Sequence, residues 1–172
     1  MFRWGVLSTA KIGIEQVIPA IVQANNGVLS AIASRDLKKA KAVAERFGAR
    51  HAFGSYDELL ASDAVDGVYI PLPTSQHVEW AAKAAEAGKH VLVEKPVCHD
   101  YRDVNRAHEL AESKGLKTKV GLTFRYAPAV MYMFDLIREG FIGKPFVFNG
   151  YEQNSQWLDP QTPLRQVDHT AD

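Results

Sequence analysis

Cysteine occurs once in the 172 residues, at Cys98, so no internal disulfide can form, and neither CxxC nor HExxH spacing is present. The histidines at 51, 77, 90, 99, 108 and 169 fall at no metal-ligand spacing, and neither a structural nor a catalytic metal is expected. Charge of one sign is also lacking. Lys+Arg and Asp+Glu balance at 20 each, which removes the field that would draw in nucleic acid or anionic lipid, so neither is expected as a partner. No long apolar run interrupts the sequence, and the opening MFRWGVLSTA is unlike a signal peptide or a membrane span, which makes a reducing cytoplasm the expected location.

What is present is an ordinary globular composition, 47% hydrophobic and 23% charged, in a length that suits one well-packed domain and part of another. The hydrophobic period alternates along the chain. FRWGVLS (2 to 8) reads as a strand, and KIGIEQVIPAIVQAN reads as a helix with a kink or a fresh start at Pro19, which cannot donate a backbone hydrogen bond. VLSAIAS (28 to 34) follows as a strand, and DLKKAKAVAERFG (36 to 48) as a helix closed by Gly48. A weak strand around 51 to 53, a short helix in YDELLAS, and a strand over 67 to 70 that stops at Pro71 continue the pattern. SQHVEWAAKAAEAG (helix), HVLVEKP (strand), YRDVNRAHELAESKG (helix) and KTKVGLTF (strand) complete it. Strands alternating with helices of this length predict an α/β fold, a doubly wound parallel (Rossmann) sheet over residues 1–123. From 124 to 172 the rhythm changes to one helix, a turn and an alternating strand, FVFNGYEQNS, which is expected to open a second, incomplete α/β domain for substrate and oligomerisation.

Ligands of such sheets bind beyond the carboxyl ends of the strands, with phosphates over the first β-to-α turn. Here that turn is Ser8-Thr9-Ala10-Lys11-Ile12-Gly13, which keeps only the last glycine of G-x-G-x-x-G and puts Ser8 and Ala10 at the other two. These are small residues that still admit a pyrophosphate, although a plain strand-helix turn has the same look. At the end of the second strand stand Ser34 and Arg35. A guanidinium beside a hydroxyl suits a ribose 2′-phosphate and so favours NADP over NAD, with Lys38 in reach to reinforce it. Asp36 is either the acid that would bind the 2′-hydroxyl of NAD or the cap of the next helix, and the cap is favoured. In HVLVEKP, Lys95 ends a strand at the crevice, where an amine can exchange a proton with a carbinol while hydride moves to the nicotinamide ring.

Four phrases together, Trp4-Gly5-Val6-Leu7-Ser8-Thr9-Ala10-Lys11-Ile12, Ala33-Ser34-Arg35-Asp36, Tyr69-Ile70-Pro71-Leu72-Pro73-Thr74-Ser75-Gln76-His77 and Ala87-Gly88-Lys89-His90-Val91-Leu92-Val93-Glu94-Lys95-Pro96, closely resemble the glucose-fructose oxidoreductase / inositol dehydrogenase / MocA (Gfo/Idh/MocA) family, in wording most like its dihydrodiol dehydrogenases and NADP-dependent xylose dehydrogenases. The resemblance covers most of the chain. It implies an NADP-dependent oxidoreductase acting on a sugar, polyol or related carbonyl, active as a homo-oligomer joined through the second-domain sheet. It implies Lys95 as the catalytic lysine, and Ser8, Thr9, Ala10, Lys11, Ile12, Ser34, Arg35, Pro71, Leu72, His77, Glu94, Lys95 and Arg125 as cofactor-lining positions, beside which Lys38 is either a further phosphate contact or a solvated helix charge. Plainer alternatives stay open for three of these: His77 as a helix-start packing residue, Glu94 as a structural partner, and Arg125 as a surface charge. The family's second catalytic element, Asp-x-x-x-His after a glycine-rich stretch, is not matched by Asp168-His169-Thr170-Ala171-Asp172, so that histidine is expected beyond Asp172 rather than at His169; neither Trp157 nor Arg165 is favoured as a cofactor contact. A nucleotide-binding sensor without turnover, or a truncated chain that binds without reacting, is the alternative function.

Overall fold

The computed structural model describes residues 1–153, apart from the side chains of Asp103 and Arg106. Two compact units divide after Gly121. In the first, six strands, β1 (Phe2–Leu7), β2 (Gly27–Ala33), β3 (His51–Phe53), β4 (Gly67–Ile70), β5 (His90–Val93) and β6 (Thr118–Val120), form one sheet in the order 3-2-1-4-5-6. Every pairing is parallel. The order reverses between β1 and β4, which makes the crevice there the expected ligand site of a doubly wound sheet.

Side-chain alternation explains why the sheet is buried on both faces. On β1, Leu7 joins a cluster with Val68, Ile70, Val91 and Val93, covered by α3 (Tyr56–Ala61) and α4 (Thr74–Glu86). Its neighbour Val6 joins the opposite cluster with Ile32 and Tyr69, covered by α1 (Ile18–Gln23) and α2 (Leu37–Phe47). In α2, Ala40, Val43 and Ala44 make the buried stripe, and Gly48 ends the helix with φ +73°, where a side chain would be strained. A further helix, α5 (Tyr101–Ser113), starts from Asp100, which accepts the Arg102 N–H at 3.0 Å.

Local differences from the sequence reading have physical causes. The chain is helical from Lys11, with a wider π-helical turn over Gly13–Val17, and Pro19 falls in the first turn of α1, directly after that wider turn. β5 stops at Val93, so Glu94, Lys95 and Pro96 lie outside the strand, and the Lys95–Pro96 bond is cis. β6 stops at Val120, and Thr123–Tyr126 forms a 3-10 turn instead of extending it. Residues 146–153, expected within an alternating strand, form none, because a strand needs a neighbour for its backbone groups and these residues have none here. In the second unit, α6 (Pro128–Arg138) follows the 3-10 turn and buries no residue, and Phe141, Phe146 and Phe148 are exposed.

The close approach of β4 to its neighbours depends on Gly67. A Cβ there would lie 2.7 Å from Phe2 Cζ and 2.9 Å from the His90 carbonyl oxygen, which is backbone and cannot swing away. Gly67→Ala is expected to lower stability by about 1–3 kcal/mol, read as a lower urea midpoint; an unchanged midpoint would show that the sheet can absorb the methyl group.

Candidate cofactor site and active site

Register brings the strand ends level. Leu7 pairs with Ala33 and Ile70 with Val93, so Ser8, Ser34, Pro71 and Glu94 each step off the sheet at one edge. Ser8 has φ +137°, and no other non-glycine among the described residues has a positive φ. That conformation belongs to glycine and costs an L-residue on the order of 1–3 kcal/mol, so serine here keeps the backbone shape of the first motif glycine. Its hydroxyl donates to the Pro71 carbonyl at 3.3 Å and accepts the Ala10 N–H at 3.2 Å, tying the turn after β1 to the loop after β4. The helix that begins at Lys11 presents its first-turn N–H groups at this turn, the usual seat of a phosphate. Thr9 and Ala10 are half-buried, while Lys11 and Ile12 are exposed, Lys11 beside Glu15 at 3.8 Å. A Cβ on Gly13 would meet Pro71 and Tyr69 at 3.5 and 3.6 Å, ordinary contact, so close packing is eased there rather than compelled.

At the end of β2, Ser34 is buried, its N–H donates to the Phe53 carbonyl at 3.2 Å, and its hydroxyl accepts the Asp36 N–H at 3.2 Å. Asp36 is the cap of α2, accepting the N–H groups of Lys38 at 2.9 Å and Lys39 at 3.4 Å. Arg35 is exposed and lies by the Tyr56 phenol, whose pKa burial raises against the opposing pull of the Arg35 charge. Lys38 stands exposed in the first turn of the same helix, so the cations at this corner face solvent while its carboxylate is turned onto the backbone.

Past β5, the Glu94 N–H donates to the Ile70 carbonyl at 3.2 Å. Glu94 Oε1 accepts the Tyr69 hydroxyl at 2.8 Å, and Oε2 accepts the Lys95 N–H at 3.2 Å. Tyr69 is fully buried, and burial, then the carboxylate, push its pKa far up, so the phenol stays a donor. The Lys95 side chain is exposed, beyond the strand end. His77, 1% exposed, sets Nδ1 2.8 Å from the Pro96 carbonyl oxygen and Nε2 2.7 Å from that of Leu72. His77 and Glu94 are thus engaged with the chain's own groups beneath the crevice, and Pro71 and Leu72 are buried at its floor. Arg125 belongs to the second unit, exposed in the 3-10 turn, where it borders a shallow cavity with Met131, Phe134, Asp135 and Arg138. Trp157, Arg165 and His169 lie outside the described residues. Sequence reasoning missed Tyr69; an aromatic in a buried strand reads as core, and its only polar signal is Glu94, two residues past Leu92, the residue opposite Tyr69.

Among the described residues no three His, Cys, Asp or Glu side chains gather as a metal site, and no helix is long and apolar enough to cross a membrane. The chain is 42% identical over 162 residues to an uncharacterized oxidoreductase of Rhizobium meliloti, covering 94% of this chain and 48% of that one. It is 41% identical over 134 residues to the NADP-dependent D-xylose 1-dehydrogenase 2 of Haloferax volcanii, covering 78% and 41%. Among solved structures, a 3-ketoreductase from Actinomadura kijaniata in complex with TDP-benzene and NADP superposes with a TM-score of 0.76 at 37% identity, covering 81% of this chain and 44% of that one. The chain therefore spans less than half the length of these relatives. Residues 2–122 match the family model described as an oxidoreductase family with an NAD-binding Rossmann fold, and the chain belongs to that family, Gfo/Idh/MocA.

Proposed function

We propose that this chain is the NADP-binding part of an oxidoreductase that moves hydride between the cofactor and a sugar, polyol or related carbonyl compound. The observation that carries this reading is the shared edge on which a glycine-shaped turn after β1, Arg35 after β2 and Lys95 after β5 all emerge. An NADP-dependent xylose dehydrogenase and an NADP-bound ketoreductase among the relatives support it.

The residues present fit the cofactor. The positive-φ backbone of Ser8 opens the turn without a helix clash, and the residues from Ser8 to Ile12 would hold the pyrophosphate. Asp36 is engaged by two amides, which leaves Arg35, Ser34 and Lys38 as the groups for a 2′-phosphate. Pro71, Leu72 and Lys95 would flank the nicotinamide, and the family resemblance alone implies Arg125 as a further cofactor contact. When bound, the cofactor supplies the hydride acceptor or donor. Lys95 would take the proton from a substrate hydroxyl in oxidation, or return it in reduction. Residues 1–123 would form the cofactor domain, and the chain from 124 would open a substrate domain through whose sheet copies associate in a reducing cytoplasm that suits the lone Cys98.

Calorimetry on the chain should show NADPH binding more tightly than NADH, and Arg35→Ala should cut that preference by about tenfold or more, as for loss of a hydrogen bond to a charged group. Equal affinities in the unaltered chain would refute the assignment of Ser34 and Arg35. In a chain that carries the substrate domain, Lys95→Ala should lower turnover of aldoses or polyols by about a hundredfold or more while NADPH affinity stays nearly the same. Unchanged turnover, followed by absorbance of the reduced cofactor, would remove Lys95 from the chemistry.

A further inference from the structure

Lys95 sits on three residues, Glu94 to Pro96, that belong to no strand or helix, yet their backbone polar groups are held from two sides. From β4, the Ile70 carbonyl takes the Glu94 N–H at 3.2 Å, and the Tyr69 hydroxyl takes hold of Glu94 Oε1 at 2.8 Å. That leaves Oε2 turned to the Lys95 N–H at 3.2 Å. From α4, the buried His77 ring sets Nδ1 against the Pro96 carbonyl and Nε2 against the Leu72 carbonyl, between the loop after β5 and the loop after β4; a neutral ring donates to one of the two and an imidazolium to both.

Both polar side chains are nearly or wholly removed from solvent, Tyr69 at 0% and His77 at 1% exposure, so neither can touch a bound cofactor from the crevice. Burying a phenol and an imidazole is unfavourable unless each finds partners, and the partners found here include the two residues that flank the lysine, the Glu94 carboxylate and the Pro96 carbonyl. Glu94 is the acidic residue next in sequence to Lys95. Tied down by Tyr69, it serves the lysine's backbone; without that tie, its carboxylate is free to turn toward the ammonium and pair with it.

We propose that Tyr69 and His77 are positioning residues that hold the Lys95 turn rigid, Tyr69 acting through Glu94 and His77 through the Pro96 carbonyl, and that neither contacts cofactor or substrate. The proposal rests on the reading of Lys95 as the proton-transfer group, and its test can fail separately. A rigid turn fixes where the amine stands relative to the loop of Pro71 and Leu72, which would flank the nicotinamide. An error on the order of 1 Å in such a placement is known to cost about a hundredfold in rate.

The test uses the whole 172-residue chain with Tyr69→Phe, which removes one oxygen atom, and His77→Gln, which keeps a donor for one carbonyl but cannot span both. Amide hydrogen exchange at Lys95 should quicken about tenfold in Tyr69→Phe, as for loss of one hydrogen bond, while the amides of β1 and β2 keep their rates. The rate at which trinitrobenzenesulfonate arylates the Lys95 amine, with sulfite as the leaving group, taken as a ratio to Lys38 in the same sample, should change by about threefold or more in both variants, the size expected from losing part of a hydrogen-bonded support. A purely structural role would lower the unfolding midpoint and speed exchange everywhere, leaving the Lys95 to Lys38 ratio where it was; that result overturns the proposal. An unchanged ratio and unchanged Lys95 exchange in stably folded variants overturn it as well. Failure of the unaltered chain to bind NADPH would defeat the cofactor reading alone, since exchange and arylation at Lys95 still decide the role of Tyr69 and His77.

Discussion

A parallel sheet covered by helices on both faces leaves its central strands little room for charged side chains except at their ends. In this chain Val6 and Leu7, Ile32 and Ala33, Tyr69 and Ile70 are all buried, so chemistry is pushed onto the first residues beyond each strand. Because the strands run parallel and their last pairs stand level, those residues collect on a single edge: Ser8, Ser34, Pro71, Glu94. The placement of Arg35 and Lys95 follows from that constraint, each one residue further out. Moving either strand by one register position would turn its apolar side chains to the wrong layer as well as displace the polar group, so core packing and site geometry enforce each other.

The β-α rhythm, the cap at Asp36, the stop at Gly48 and the strand end at Ile70 were legible in the sequence because each is set by neighbours within a few residues: a carboxylate two residues from the amide it caps, a glycine free to take φ +73°, a proline after the strand. Features that depend on distant partners were not. The Tyr69 hydroxyl finds Glu94 across 25 residues, and the His77 ring finds Pro96 across 19, contacts that only the β4–β5 pairing and the seat of α4 bring about. The same reason explains the stretch from 146 to 153: alternation of apolar and polar residues prepares a strand, and a partner strand makes one.

The corner after β2 shows how backbone accounting bears on cofactor choice. An acid one residue beyond Arg35 would ordinarily argue for a free ribose hydroxyl as ligand. In the folded chain the Asp36 carboxylate already receives two amide N–H groups of α2, and its own N–H is taken by Ser34 Oγ. Turning Oδ1 of that carboxylate away to a ribose would weaken the start of α2 by about 1 kcal/mol, the usual worth of such a cap, and leaves only Oδ2 for a ligand while the cap stands. Arg35 and Lys38 carry no comparable duty to the backbone, and their charges stand in solvent where a phosphate can reach them. The proposed preference for a 2′-phosphate thus rests on the duty of Asp36 to the cap as well as on the presence of the guanidinium.

Ser8 poses the opposite problem, since a glycine would adopt φ +137° without strain, whereas serine holds it at a cost. What serine adds is a hydroxyl that is used twice, toward the Pro71 carbonyl and from the Ala10 N–H. Each such bond is worth about 0.5–1.5 kcal/mol, so the two together are of the same size as the strain. A glycine would therefore leave the turn about equally stable but would sever its link to the loop after β4. That loop is the one His77 joins to the Lys95 turn through Leu72 and Pro96. Polar contacts and the Pro71–Leu72 peptide thus link the turn after β1, through the floor of the crevice, to the residues that carry the lysine, and the serine that departs from the glycine motif forms the first link.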